Sequence, residues 1–211
     1  NPNLIKNSVK FISEQDSLNA CIMGEDVEIG DLEWDVFLKE AVNEITSKAG
    51  QKCTAIRKIF VPENKLSKTI DALKENLETQ KVDDPRKSDT DMGPIVSLDQ
   101  KNDVISKISE ILEECDIITG KSNLEKDSQH AGTAYMEPML LYCSNPNNGE
   151  NVHELEVFGP SATIMGYKSN EEVANLVVKG GGSLVSSIFS NDLNTIKNLS
   201  LKLAPYNGRI Y

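Results

Sequence analysis

The feature that most constrains this chain is an ordering. Short, continuously apolar runs alternate with stretches whose apolar residues recur at intervals of three and four. Within 34–48 the apolar set is Trp34, Phe37, Leu38, Ala41, Val42 and Ile45, the stripe of an amphipathic helix, and Lys48 and Gly50 suit its C-terminus. Residues 56–61 read as a buried strand closed by Pro62, and 66–77 as a helix with Ile70, Leu73 and Leu77 on one face. The breaker-rich 83–94 is loop. Val104, Ile108, Ile111 and Leu112 mark a helix over 98–115, followed by a short strand at 116–119 that Gly120 ends, and 121–132 is a polar surface excursion. Strands are expected at 139–143, 161–167 and 184–189, and helices at 170–178 and 192–203. This alternation predicts a three-layered α/β fold, a largely parallel sheet flanked by helices.

Composition narrows the function classes. A chain of 211 residues holds one large domain or two small ones, and at 5% aromatic its core must be filled by Leu, Ile, Val and Met. A net charge of −11 argues against nucleic acid and against an anionic membrane surface as partners. The adjacent Arg57-Lys58 is a local exception that leaves room for an anionic small molecule. Cys21, Cys53, Cys115 and Cys143 form no Cys-x-x-Cys pair, and His130 and His153 are the two histidines, so no metal site is expected. With no signal-peptide pattern and no apolar run near ~18 residues, four free thiols read as those of a cytoplasmic protein. The chain opens at Asn1-Pro2-Asn3-Leu4 and stops at Asn207-Gly208-Arg209-Ile210-Tyr211 within a β run, which reads as an excised piece of a longer protein.

One cysteine differs from the others. Cys21, Cys115 and Cys143 lie in apolar strands or at a helix end, where a small buried side chain is expected. Cys53 follows Gly50-Gln51, after a helix and before a strand, with small Thr54 and Ala55 beside it. A thiol on such a turn faces a cleft, where its thiolate fraction is raised rather than suppressed. Gly180-Gly181-Gly182 lacks the Lys-Ser/Thr of a phosphate loop and reads as a flexible turn.

The run Ala49-Gly50-Gln51-Lys52-Cys53-Thr54-Ala55-Ile56-Arg57-Lys58-Ile59-Phe60-Val61-Pro62 resembles the nucleophile segment of the aldehyde dehydrogenase superfamily. About one hundred residues later, Glu154-Leu155-Glu156-Val157-Phe158-Gly159-Pro160 contains that family's Glu-x-Phe-Gly-Pro. Met92-Gly93-Pro94-Ile95-Val96-Ser97, Glu137-Pro138-Met139-Leu140-Leu141 and the stretch 183–192 are similar to further family segments, in the family's order. The family's usual Glu-Leu-Gly-Gly is missing. In its place Glu14-Gln15-Asp16-Ser17-Leu18-Asn19 resembles the aldehyde dehydrogenase part of the bifunctional phenylacetate ring-opening enzymes.

The resemblance implies a three-layer aldehyde-dehydrogenase-like catalytic domain over 21–211, with 1–20 the remnant of a cofactor-binding domain and the C-terminal strand and tail missing. It implies NADP or NAD as cofactor, Cys53 as nucleophile and Glu14 as general base. Glu156 would receive ribose hydroxyls, since a carboxylate accepts two hydroxyl donors at once, and Phe158 would pack near the cofactor ring. The Cys53 N–H is the oxyanion donor the chain offers. The implied reaction is NAD(P)+-dependent oxidation of a small-molecule aldehyde, CoA-linked in the phenylacetate branch, in a homo-oligomeric full-length protein. A general aliphatic or semialdehyde dehydrogenase, or a non-catalytic oligomerisation module, are the alternatives. Cys53, Glu156 and Phe158 are expected around one cleft.

Overall fold

The structure, a computed structural model, describes residues 2–11, 16–125 and 129–211. Seven strands, β1 (Asn19–Met23), β2 (Ile56–Pro62), β3 (Asp116–Thr119), β4 (Met139–Cys143), β5 (Ser161–Tyr167), β6 (Ser183–Phe189) and β7 (Asn207–Ile210), form one sheet. Their spatial order is β3-β4-β5-β2-β1-β6-β7. Every neighbouring pair is parallel except β3–β4. The helices are α1 (Pro2–Lys6), α2 (Leu32–Thr46), α3 (Glu63–Glu78), α4 (Leu98–Ile111), α5 (Asn151–Glu154), α6 (Asn170–Val178) and α7 (Leu193–Leu203).

Strands β1, β2, β4 and β5 are buried on both faces, and strand alternation divides their side chains between two cores. Cys21, Met23, Ile59, Val61, Leu140 and Ile164 pack with Phe37 and Ala41 of α2 and Leu73 and Leu77 of α3. Their neighbours Ala20, Ile22, Phe60, Leu141 and Met165 pack on the other face with Val104 and Ile108 of α4, Leu176 of α6 and Leu199 of α7. This is the three-layer α/β arrangement the alternation predicts. Central parallel strands covered on both sides read as unbroken apolar runs, and each fully buried aliphatic side chain contributes roughly 1.5–3 kcal/mol.

Local signals set the helix boundaries. Ser97 Oγ accepts from the Gln100 N–H to open α4, and Ser169 Oγ does the same for Glu172 in α6. Asp192 opens α7 by accepting from the N–H groups of Asn194 and Thr195. The expected 34–48 helix ends at Thr46 instead, because Lys48, Ala49 and Gly50 take φ of 54, 52 and 67°. Three consecutive left-handed residues cannot continue a right-handed helix. Similarly, α4 stops at Ile111 rather than 115. Strand β1, all five residues of it buried, is the apolar strand expected around Cys21, for which the sequence set no bounds. The short helices α1 and α5 were not among the expected elements.

Candidate active site

The residues singled out around Cys53 and Glu156 meet at the amino ends of the central strands. Open α/β sheets more commonly bind ligands at the carboxyl ends. Here Cys53 lies just before β2, Glu156-Val157-Phe158-Gly159-Pro160 leads into β5, and Ser17 and Asn19 open β1. Because β1 pairs with β2 and β2 with β5, these three segments are neighbours in space.

The nucleophile turn is shaped by its glycine. Gly50 stands at φ 67°, and a Cβ there would meet the Gly159 carbonyl oxygen at 2.0 Å and Pro160 N at 2.8 Å. The Gly-Gln-x-Cys and Phe-Gly-Pro segments are thus in backbone contact, and only a residue without a side chain permits it. Gln51 extends the anchoring. Its Nε2 donates to the Lys48 carbonyl at 3.0 Å and its Oε1 accepts from the Val96 N–H at 3.0 Å, tying the Gly93-Pro94 loop to the turn. Lys52 is held back along α2 by Glu44, with Nζ 2.5 Å from Oε1.

Cys53 and Thr54 are both exposed, at the tip of a turn that the Ala55 N–H closes onto the Lys52 carbonyl at 3.1 Å. Cys21, Cys115 and Cys143 are buried. Burial pushes the Cys21 thiol well up, which makes it a poor nucleophile. The contrast between one exposed and three buried cysteines matches the expectation from their sequence contexts.

Glu156 sits behind the turn, 6% exposed. Its Oε1 accepts from Arg57 Nε at 3.2 Å and its Oε2 from the Ser17 N–H at 3.0 Å. Each oxygen therefore has one protein donor, so about two of a carboxylate's four or so acceptor positions stay open. Phe158 is half-buried, with its ring 5.5 Å from the Arg57 guanidinium carbon. A carboxylate with spare acceptor capacity beside an aromatic ring suits a hydroxyl-bearing ligand with a flat ring.

Arg57 binds these pieces together. It donates to the Gly159 carbonyl at 2.9 Å and the Gly50 carbonyl at 2.8 Å in addition to Glu156. Burial lowers the pKa of its guanidinium and the Glu156 carboxylate raises it again. Arg57 and Lys58 do not form the surface basic pair that their adjacency suggests, since they are 4% and 1% exposed. Side chains alternate along β2, so Lys58 faces away from Arg57 and its Nζ caps the α6 carbonyls of Leu176 and Val177.

Beside the turn a cavity of about 460 Å³ opens against α2, β1, β6 and β7, with Asn19, Glu40, Glu44, Thr54, Ile56 and Tyr211 in its wall. Cys53, Glu156 and Phe158 lie outside that wall; Arg57 contacts Glu156 and Phe158 and binds the Gly50 carbonyl of the turn that carries Cys53. Glu14 lies outside the described residues. Sequence reasoning missed Asn19 and Ser17 and gave Arg57 a different role. Ser17 and Asn19 stand in the segment that carries the resemblance, but nothing local beyond their position near strand starts points to these bonds.

The site thus consists of an exposed cysteine turn locked against a Phe-Gly-Pro turn at one end of a three-layer α/β sheet. Residues 4–205 match the aldehyde dehydrogenase family, and the chain belongs to that family. A 3,4-dehydroadipyl-CoA semialdehyde dehydrogenase from Aromatoleum evansii is 36% identical over 211 residues, which cover 99% of this chain and 41% of the relative. A 3-sulfolactaldehyde dehydrogenase from Priestia megaterium is 30% identical over 163 residues, 75% of this chain and 32% of that protein. Among solved structures, betaine aldehyde dehydrogenase from Staphylococcus aureus in complex with NAD+ shares the fold, with a TM-score of 0.83 at 23% identity over 99% of this chain and 40% of its own. The chain thus spans about two fifths or less of the length of these relatives.

Proposed function

We propose that this chain is the nucleophile-bearing part of an NAD(P)+-dependent aldehyde dehydrogenase acting on a CoA-linked semialdehyde. The observation that carries the reading is the single exposed cysteine, Cys53, on a turn fixed by Gly50 against Gly159. The name of the Aromatoleum relative supports the CoA-linked substrate, and so does the likeness of Glu14-Gln15-Asp16-Ser17-Leu18-Asn19 to the phenylacetate ring-opening branch. On this reading residues 1–20 belong to the cofactor-binding domain and 21–211 to the catalytic domain.

The Cys53 thiolate forms a C–S bond to the aldehyde carbon, and the carbonyl π electrons move onto oxygen as the thiohemiacetal oxyanion. The Cys53 N–H stabilises that charge. When bound, the nicotinamide supplies a hydride acceptor. Glu156 would hold it through ribose hydroxyls and Phe158 through its ring. The acyl group then rests on Cys53 as a thioester. Glu14 takes a proton from water as that water attacks the thioester carbon, releasing the acid and the Cys53 thiolate. The test is aldehyde-dependent reduction of NAD+ or NADP+ by the intact protein. Loss of activity in Cys53→Ala with fold retained is expected, and undiminished turnover in that variant would end the proposal.

A further inference from the structure

The turn around Cys53 has its peptide planes set by two different acceptor arrangements. No peptide bond among the described residues is cis, and in a trans peptide the carbonyl and the N–H point in opposite directions. The Lys52 carbonyl faces into the turn, where it accepts from the Ala55 N–H, so the Cys53 N–H faces out. The Cys53 carbonyl accepts from Asn19 Nδ2 at 2.9 Å, and Asn19 is 1% exposed. Drawing that carbonyl toward a buried amide turns the Thr54 N–H outward as well. Among the described residues neither N–H has an acceptor. Two uncommitted donors on consecutive residues therefore flank an exposed thiol, which is the arrangement an oxyanion needs.

Asn19 is itself fixed. Its Nδ2 also donates to the Ala55 carbonyl at 2.9 Å, while its Oδ1 accepts from the Val185 N–H at 2.9 Å and the Ser17 hydroxyl at 2.9 Å. The Val185 N–H requires an oxygen on that side, so the amide group must face Cys53 and Ala55. A single side chain from β1 grips the carbonyls of Cys53 and Ala55 and is braced by β6.

We propose that Asn19 is a positioning residue for the reaction: its amide holds the Cys53–Thr54 peptide so that the N–H groups of both residues aim at the thiohemiacetal oxygen. This rests on Cys53 being the nucleophile of aldehyde oxidation. Asn19→Asp keeps the size and the acceptor for Val185 but replaces the donating amide, and Asn19→Ala serves if the aspartate variant does not fold. In the intact protein each is compared with wild type by two rates. One is the burst of reduced cofactor on mixing with aldehyde. The other is alkylation of Cys53 by iodoacetamide, a displacement that builds no oxyanion. The expected result is a burst slower by roughly 10²–10³-fold, the size of effect seen on losing an oxyanion donor, with alkylation within about threefold of wild type. A burst loss less than about ten times the alkylation loss would mean a merely structural brace and overturns the proposal. A wild-type protein with no aldehyde-dependent burst, or a Cys53→Ala variant that keeps one, brings down the nucleophile reading first and this proposal with it.

Discussion

Arg57 Nε and Glu156 Oε1 lie 3.2 Å apart with both side chains buried, 99 residues apart in the chain. The pair joins the strand that follows the cysteine turn to the segment that precedes β5. The guanidinium reaches further, donating to the carbonyls of Gly159 and Gly50. A buried pair of this kind gains little over apolar packing, but one partner left alone is costly.

Arg57→Met should therefore destabilise the protein by about 3–5 kcal/mol, because buried Glu156 loses its charge partner and two carbonyls lose a donor together. Urea unfolding measures it. The double variant Arg57→Met/Glu156→Leu should recover part of that loss. A single-variant cost below about 1 kcal/mol would show that the pair is not desolvated as described.

Gly50 and Gly132 separate backbone strain from close contact. They have φ of 67 and 68°, yet a Cβ at Gly132 meets nothing within 4 Å whereas one at Gly50 meets the Gly159 oxygen at 2.0 Å. Gly132→Ala is expected to cost about 1 kcal/mol from its left-handed φ. Gly50→Ala should cost about 3–5 kcal/mol and displace the cysteine turn. Thermal melts of the two variants compare them directly, and equal shifts would refute the contact.

His153 gives the stability a pH dependence. Burial first, then the nearby Lys58 and Lys179 charges, lower its pKa from 6.5 to about 4, although its Nε2 lies 2.8 Å from the Pro146 carbonyl oxygen. Between these values the unfolded chain binds the proton and the folded chain resists it, so the unfolded state carries more protons there. The stability is complete above pH 6.5 and is lost as pH falls toward 4. The loss should be on the order of 3 kcal/mol. Denaturant titrations from pH 7 to 4 should show it, and His153→Gln should flatten that part of the profile. An unchanged slope in the variant would assign the dependence to carboxylates.

If Glu14 is the base, Glu14→Gln separates the two halves of the reaction. A stopped-flow burst of reduced cofactor should persist while steady-state turnover falls by roughly 10²–10⁴-fold, the usual worth of a general base. Normal turnover in that variant would exclude Glu14 and direct attention to another carboxylate.

The extent to which each part was legible follows from the range of the interactions behind it. The strand and helix pattern is written locally, and so are the positive-φ glycine, the cysteine after it and the Phe-Gly-Pro turn. Hydrophobic periodicity and backbone permissiveness act over a few residues. Strand β1 was legible only as an apolar stretch around Cys21, because five residues buried on both faces have no alternation to fix its ends. The antiparallel β3 edge escaped because strand direction depends on how the chain returns, which composition does not record.

From its sequence alone, this protein was determined to be a three-layer α/β chain of the aldehyde dehydrogenase family with Cys53 as the distinctive thiol. Tertiary structure alone decided what holds that thiol. Asn19 reaches the Cys53 carbonyl across 34 residues, Arg57 reaches Glu156 across 99, and the Ser17 N–H reaches the same carboxylate across 139. An asparagine and an arginine at strand starts look like ordinary polar residues until the sheet order places β1, β2 and β5 side by side. Burial then forces every donor and acceptor there to find a partner, and the partners available are those of the cysteine turn.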